Sequence, residues 1–91
     1  MGRHGFKQIA DTNTHTAGVG DHADIEAFGL ISVYEDCVFN AATTSKEGDS
    51  VHTTKTYTAN AVIRGTFSVI KLSTAGLIHV QRIPKLNEYW D

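Results

Sequence analysis

The side chains of this 91-residue chain that could do chemistry are five histidines, ten carboxylates and a single thiol. His15, Asp21, His22 and Asp24 lie close together in a Gly-rich stretch. Imidazole and carboxylate are ordinary ligands for divalent metals, so these four form a candidate metal- or ligand-binding set. Their spacing matches no zinc template, and ligands on a pliable segment lose entropy on binding. The competing expectation is a group of solvated polar residues, and no metal or cofactor is assigned. His52 and His79 fall on separate predicted strands. They could pair across a sheet or a subunit boundary, giving a contact that titrates near neutral pH; otherwise each is a half-exposed strand residue.

Glu35 and Asp36 are adjacent carboxylates. Neighbours on a strand point to opposite faces, so the pair does not converge on one substrate as glycosidase acids do. They read as a polar break between strands. Cys37 has the apolar neighbours Val38 and Phe39 and no activating base nearby in sequence, which describes a buried, inert thiol. Gly18-Val19-Gly20 is followed by Asp21 and lacks the lysine of a phosphate-binding loop. No catalytic residues are assigned, and the chain is expected not to be an enzyme.

The elements that must position these residues are strands. Eleven threonines and many valines and isoleucines suit a pleated surface and lose rotamer freedom in a helix. Residues 1–24 are poor in large apolar side chains and read as an extended arm. Strands are expected over 28–34 and 37–43, followed by a loop at Ser45–Ser50. Residues 51–58 alternate without a strongly apolar side, as an edge strand or subunit contact would. Ala59-Asn60 marks a turn. The longest β segment runs from Ala61 to Leu72, with Gly65 as a bulge or close backbone approach. After a connection at 73–76, residues 77–83 form a last strand, so 61–83 read as a β-hairpin. Pro84 stops that strand. The expected fold is all-β: a small single-domain antiparallel sandwich or roll of about five strands. It comprises an arm over 1–24, a β domain over 25–84 and a tail over 85–91.

Net charge is −2 and the eight Lys and Arg residues are scattered, which argues against nucleic acid as a partner. Apolar runs such as Ala61-Val62-Ile63 are too short to span a bilayer, and the first residues lack an apolar stretch of signal-peptide length. Neither membrane association nor export is expected. One cysteine allows no internal disulfide, and a chain this short buries only about 60–65% of its unfolded surface. Stability is therefore expected from a metal, from partner chains or from an unusually efficient core.

The run Gly65-Thr66-Phe67-Ser68-Val69-Ile70-Lys71-Leu72, then Gly76 and the apolar strand Leu77-Ile78-His79-Val80, resembles the C-terminal pattern of small bacteriophage virion proteins. Val33–Phe39 is similar to their first β unit and Thr43-Thr44-Ser45 to the loop that follows. The similarity spans roughly residues 27–82. Two departures are the turn Ala59-Asn60-Ala61, where Pro or Gly is usual, and the extension through Arg82-Ile83 into a Pro84-led tail. The resemblance implies a structural protein of the virion, most concretely a capsid-decorating (cement) protein. Such a protein would be homotrimeric, assembled in the host cytoplasm and bound to the major capsid protein or another virion protein. A tail or head-fibre component is the alternative. On this reading Phe67, Ile70 and Leu72 are expected to pack subunits together. Tyr89 and Trp90 are expected to dock on a partner, where such aromatics are common anchors.

Overall fold

The computed structural model describes residues 5–85. Among them the β-forming sequence resolves into ten strands and a single 3-10 turn. In chain order these are β1 (Phe6–Ile9), β2 (His15–Thr16), the 3-10 turn (Gly20–His22), β3 (Ile25–Val33), β4 (Cys37–Phe39), β5 (Thr44–Gly48), β6 (Thr56–Tyr57), β7 (Val62–Ile63), β8 (Gly65–Ile70), β9 (Leu72–Thr74) and β10 (Ile78–Pro84). The all-β, antiparallel class is as expected, with the strands divided more finely. No helix among the described residues is long and apolar enough to cross a membrane.

The larger sheet runs β1-β10-β3-β8-β2, with β5 also paired to β8 and β7 to β3; the smaller runs β6-β4-β9. Strand β3 organises both the pairing and the core. It pairs with β10 from Ile25 to Val33, with β8 at Phe28↔Phe67 and with β7 at Ile31↔Ile63. Its Ile25, Phe28, Ile31 and Val33 are at most 2% exposed and join Phe39, Phe67, Ile70, Leu72, Ile78 and Val80 in one apolar cluster. Each such side chain contributes about 1.5–3 kcal/mol relative to exposure. The core is thus the efficient kind that a short chain without disulfides requires.

Several local expectations hold. Asn60 turns the chain with φ 78°. Gly65 is a close backbone approach, with φ 149°, and a Cβ there would lie 2.4 Å from the Glu47 carbonyl oxygen. Strand β10 ends at Pro84.

Others are corrected. Residues 61–83 do not form a hairpin: β8 pairs with β2, β3 and β5, whereas β10 pairs with β1 and β3. The connection between β9 and β10 is drawn under the Glu35–Asp36 turn, where Leu77 O accepts from Tyr34 N at 2.8 Å and Glu35 N at 3.1 Å. That anchorage prevents a tight turn. The expected single strand 61–72 is broken into three, and Lys71 crosses between sheets with its N–H on Thr43 Oγ1 at 3.1 Å. Residues 51–58 keep only β6 as strand, because His52 N donates to Tyr57 Oη at 3.0 Å and folds the segment back on itself. Most of the expected loop at 45–50 belongs to β5. The described part of the arm is built into the larger sheet, with β1 on β10 and β2 on β8. Ile9 at 1% and His22 at 4% exposure fill its underside, so backbone pairing and two side chains order a stretch that composition alone leaves open.

Candidate functional site

Three titratable side chains, Asp11, His15 and His22, converge within the former arm. Strand β2 fixes His15 by pairing it with Ile70. The 3-10 turn then brings His22 back beneath it, closed by Gly18 N on His22 O at 2.8 Å and His22 N on Val19 O at 3.0 Å. His15 Nδ1 and His22 Nε2 share a hydrogen bond at 3.1 Å, and His15 Nε2 meets Asp11 Oδ1 at 2.9 Å. The same Asp11 oxygen accepts from Asn13 N at 3.1 Å, an Asx turn that holds the carboxylate in place. The hydrogen bond from His15 holds the Asp11 carboxyl below its ordinary range. Burial, then the charges of His15, Arg82 and Lys7, push His22 below its ordinary value. The ring of His22 packs edge-to-face on Phe28 at 5.0 Å between centroids. A shallow cleft of about 300 Å³ lies alongside, lined by Asn13, Thr14, Thr16, Val19 and the two histidines.

Of the four residues expected as a metal or ligand set, the fold brings His15 and His22 into contact. Asp24 is engaged with Arg82 Nη2 at 2.9 Å, and Asp21 offers its backbone oxygen to the same guanidinium at 3.4 Å. Both nitrogens of His15 are occupied within the cluster. Among the described residues no group of three or more His, Cys, Asp and Glu side chains is placed to hold a metal ion. Asp11 is the member that sequence reading missed. Its spacing of four from His15 is informative only in a helix, and this segment is not helical.

The remaining candidates are apart. His79 stacks on Tyr34, with centroids 4.2 Å apart and planes at 25°, while His52 sits in the 51–55 loop; they are not a pair. Glu35 and Asp36 form the expected exposed break between β3 and β4. Cys37 is 1% exposed, and burial, with the charge of Asp36 second, raises its thiol to about 11. A thiol that stays protonated and covered is a poor nucleophile. Native protein at about pH 8 is therefore expected to leave a disulfide reagent such as dithionitrobenzoate unreacted, with one thiol appearing in denaturant. Prompt stoichiometric reaction of the native protein would contradict this burial.

Phe67, Ile70 and Leu72, expected to pack subunits together, are placed in the chain's own core. Each is 0% exposed, which leaves no side-chain surface for a second subunit. Tyr89 and Trp90 lie outside the described residues. Of the four exposed large apolar side chains among the described residues, Val19 lies by the histidine cleft, and Phe6, Tyr34 and Val62 lie on the outer face of the larger sheet. Register aligns Gln8, His79, Ser32 and Val62 in one row across β1, β10, β3 and β7. Phe6 opposite Gln81 extends the row on one side, and Tyr34, just past the end of β3 and stacked on His79, extends it on the other. None of these is Lys, Arg, Asp or Glu. Phe6 is 57%, Tyr34 53% and Val62 47% exposed. A depression of about 230 Å³ between Ser32, Tyr34, Asn60, Ala61 and Val62 indents this face.

Comparison with protein-family models, curated proteins and solved structures finds no match to this chain. Its function is therefore argued from the two features above: an Asp–His–His ladder whose inner member, His22, is buried, and a row of exposed residues without charged side chains on the larger sheet.

Proposed function

We propose that this chain is a structural component of a bacteriophage virion, a decoration protein that binds the capsid lattice through the outer face of its larger sheet. The observation that supports a contact role is the row carrying Phe6, Tyr34 and Val62, half-exposed and free of charged side chains. Exposed aromatic and β-branched residues around a depression are the kind of surface that a partner covers. The virion setting, the major capsid protein as partner and the homotrimeric state rest on the sequence resemblance. The work of such a protein is mechanical: apolar area removed from water at each lattice junction, about 25 cal/mol per Å², repeated over the shell.

The test separates particles carrying this chain into heads and tails and locates it by mass spectrometry. Purified protein is then rebound to heads stripped of it. The chain is expected on heads, and Tyr34→Asp combined with Val62→Asp is expected to weaken rebinding at least about tenfold. Both positions are about half exposed, so the substitutions leave the core intact. Finding the chain only with tails, or undiminished rebinding by the folded double variant, would overturn the reading.

A further inference from the structure

We propose that Asp11, His15 and His22 form a proton-operated clasp, which keeps residues 11–24 in their folded path over the larger sheet at neutral pH and releases that stretch, β2 included, on uptake of one proton while the other strands stay paired. This inference is independent of the docking role above.

The geometry dictates the proton count. Ionised Asp11 only accepts, so His15 Nε2 must carry hydrogen. Neutral His15 then has a bare Nδ1, and the bond to His22 must be donated by His22 Nε2. That leaves His22 Nδ1 bare, and this atom is buried with no hydrogen-bond partner among the described residues. In the neutral ladder every N–H is therefore used. Adding one proton while keeping both bonds allows a single outcome: a hydrogen on His22 Nδ1, whether the positive charge sits on His15 or on His22. A bare buried acceptor becomes a buried donor on a cationic ladder, and a lost hydrogen bond or an exposed ring is the relief.

The surroundings do not rescue that donor. Phe28 of β3 presents only a ring to His22. Lys7 of β1 and Arg82 of β10 add positive charge, which opposes the proton, while Asp21 of the 3-10 turn favours it. Asp24 is committed to Arg82, and Lys71 holds the Thr12 carbonyl at 2.6 Å rather than facing the ladder. Asp11, held below its ordinary range, stays ionised through the relevant interval. Because the folded protein holds His22 below the ordinary 6.5, its contribution is complete above that value. The contribution is withdrawn as pH falls below 6.5. Beyond the ladder the backbone of the stretch is tied to the sheet by the short β2–β8 pairing and by Ala17 N on Ser68 O at 2.9 Å, and its two ends by the Lys71 contact to Thr12 O and the Arg82 contacts to Asp24 and the Asp21 oxygen.

The experiment is NMR of the full chain between about pH 7.5 and about pH 5, reading imidazole nitrogen shifts and amide protection factors. At the upper end His22 is expected as the Nε2–H tautomer. Below about pH 6.5, protection at Ala17 and Gly18 is expected to fall by up to about tenfold per pH unit. Protection at Tyr34, whose amide bonds Leu77 O, should hold. His22→Phe keeps a ring against Phe28 and should abolish the pH dependence. Asp11→Asn keeps an acceptor but removes the charge that steadies a protonated ladder in place, so release should move to higher pH. Three results would overturn the clasp: His22 as the Nδ1–H tautomer at neutral pH, wild-type protection that does not change, or release at the same or lower pH in Asp11→Asn. The tautomer and Asp11→Asn measurements decide the matter even if His22→Phe does not fold.

Discussion

Phe67→Ala is expected to cost about 3–5 kcal/mol of folding stability and to lower the melting temperature by something on the order of 20 °C. Phe67 is 0% exposed and pairs across the sheet with Phe28, also 0% exposed, so truncation opens a void between two strands already fixed by backbone hydrogen bonds. Such a site cannot collapse around the loss, which places it toward the upper end of that range. A domain of this size has roughly 5–15 kcal/mol in all, so the variant should sit near the edge of folding at room temperature. Phe67→Leu, which keeps most of the volume, should cost about 1–1.5 kcal/mol. Urea unfolding followed by far-ultraviolet circular dichroism measures both. The same measurement separates a residue of the chain's own core from one packing subunits. The difference between wild type and Phe67→Ala should not change over a roughly hundredfold range of protein concentration, whereas a subunit contact makes it concentration-dependent. A loss under about 1 kcal/mol would contradict the core assignment.

Gly76→Ala is the second large effect, and it arises from backbone rather than side-chain packing. A Cβ at Gly76 would lie 2.1 Å from the Asp36 carbonyl oxygen and 2.7 Å from that of Glu35. Neither atom can swing aside, because the Glu35–Asp36 turn is tied to Leu77 O through two amides. The added methyl must part the β3–β4 turn from the β9–β10 connection, at an expected cost of about 3 kcal/mol or more. Gly18→Ala is the control. Gly18 has φ 84° but nothing within 4 Å of its would-be Cβ, so only the left-handed backbone is penalised, by about 1–2 kcal/mol. Denaturant midpoints of the two variants give the comparison directly. Equal losses would show that the contact at Gly76 relaxes at a cost no larger than the left-handed penalty at Gly18.

The strand class of this protein is legible in its residues. Threonine, valine and isoleucine, the turn at Asn60, the polar break at Glu35–Asp36 and the stop at Pro84 all act locally, through φ/ψ preference and a missing donor, and all appear in the fold. Gly65 is legible as a special position from its missing side chain, although the β5 backbone it approaches is not. Burial within residues 61–72 is not local. Simple alternation puts Phe67 on one face and Ile70 and Leu72 on the other, yet all three are fully buried. Between Phe67 and Val69 the partner strand advances only from Ser45 to Thr44, so Ser68 is an extra residue and the phase changes there. A bulge of that kind depends on the neighbouring strand, which the local pattern does not contain.

Strand partners and the candidate site belong to the same category. Alternation in 77–83 identifies a strand but not that β1 and β3, rather than β8 or β9, will flank it. The stretch through residue 24 is ordered by hydrogen bonds to β8 and β10, contributed by backbone groups that every residue carries and no composition records. Asp11, His15 and His22 meet only because that stretch is laid on the sheet and closed by the 3-10 turn. The residues by themselves thus determined that the protein is built of strands and where several of them stop. Tertiary structure alone decided which strands are neighbours and which apolar side chains are core rather than contact, because each of these is a contact between residues far apart in the chain; it also decided which histidines meet, because His15 and His22, seven positions apart, close on each other only when their stretch is laid on the sheet.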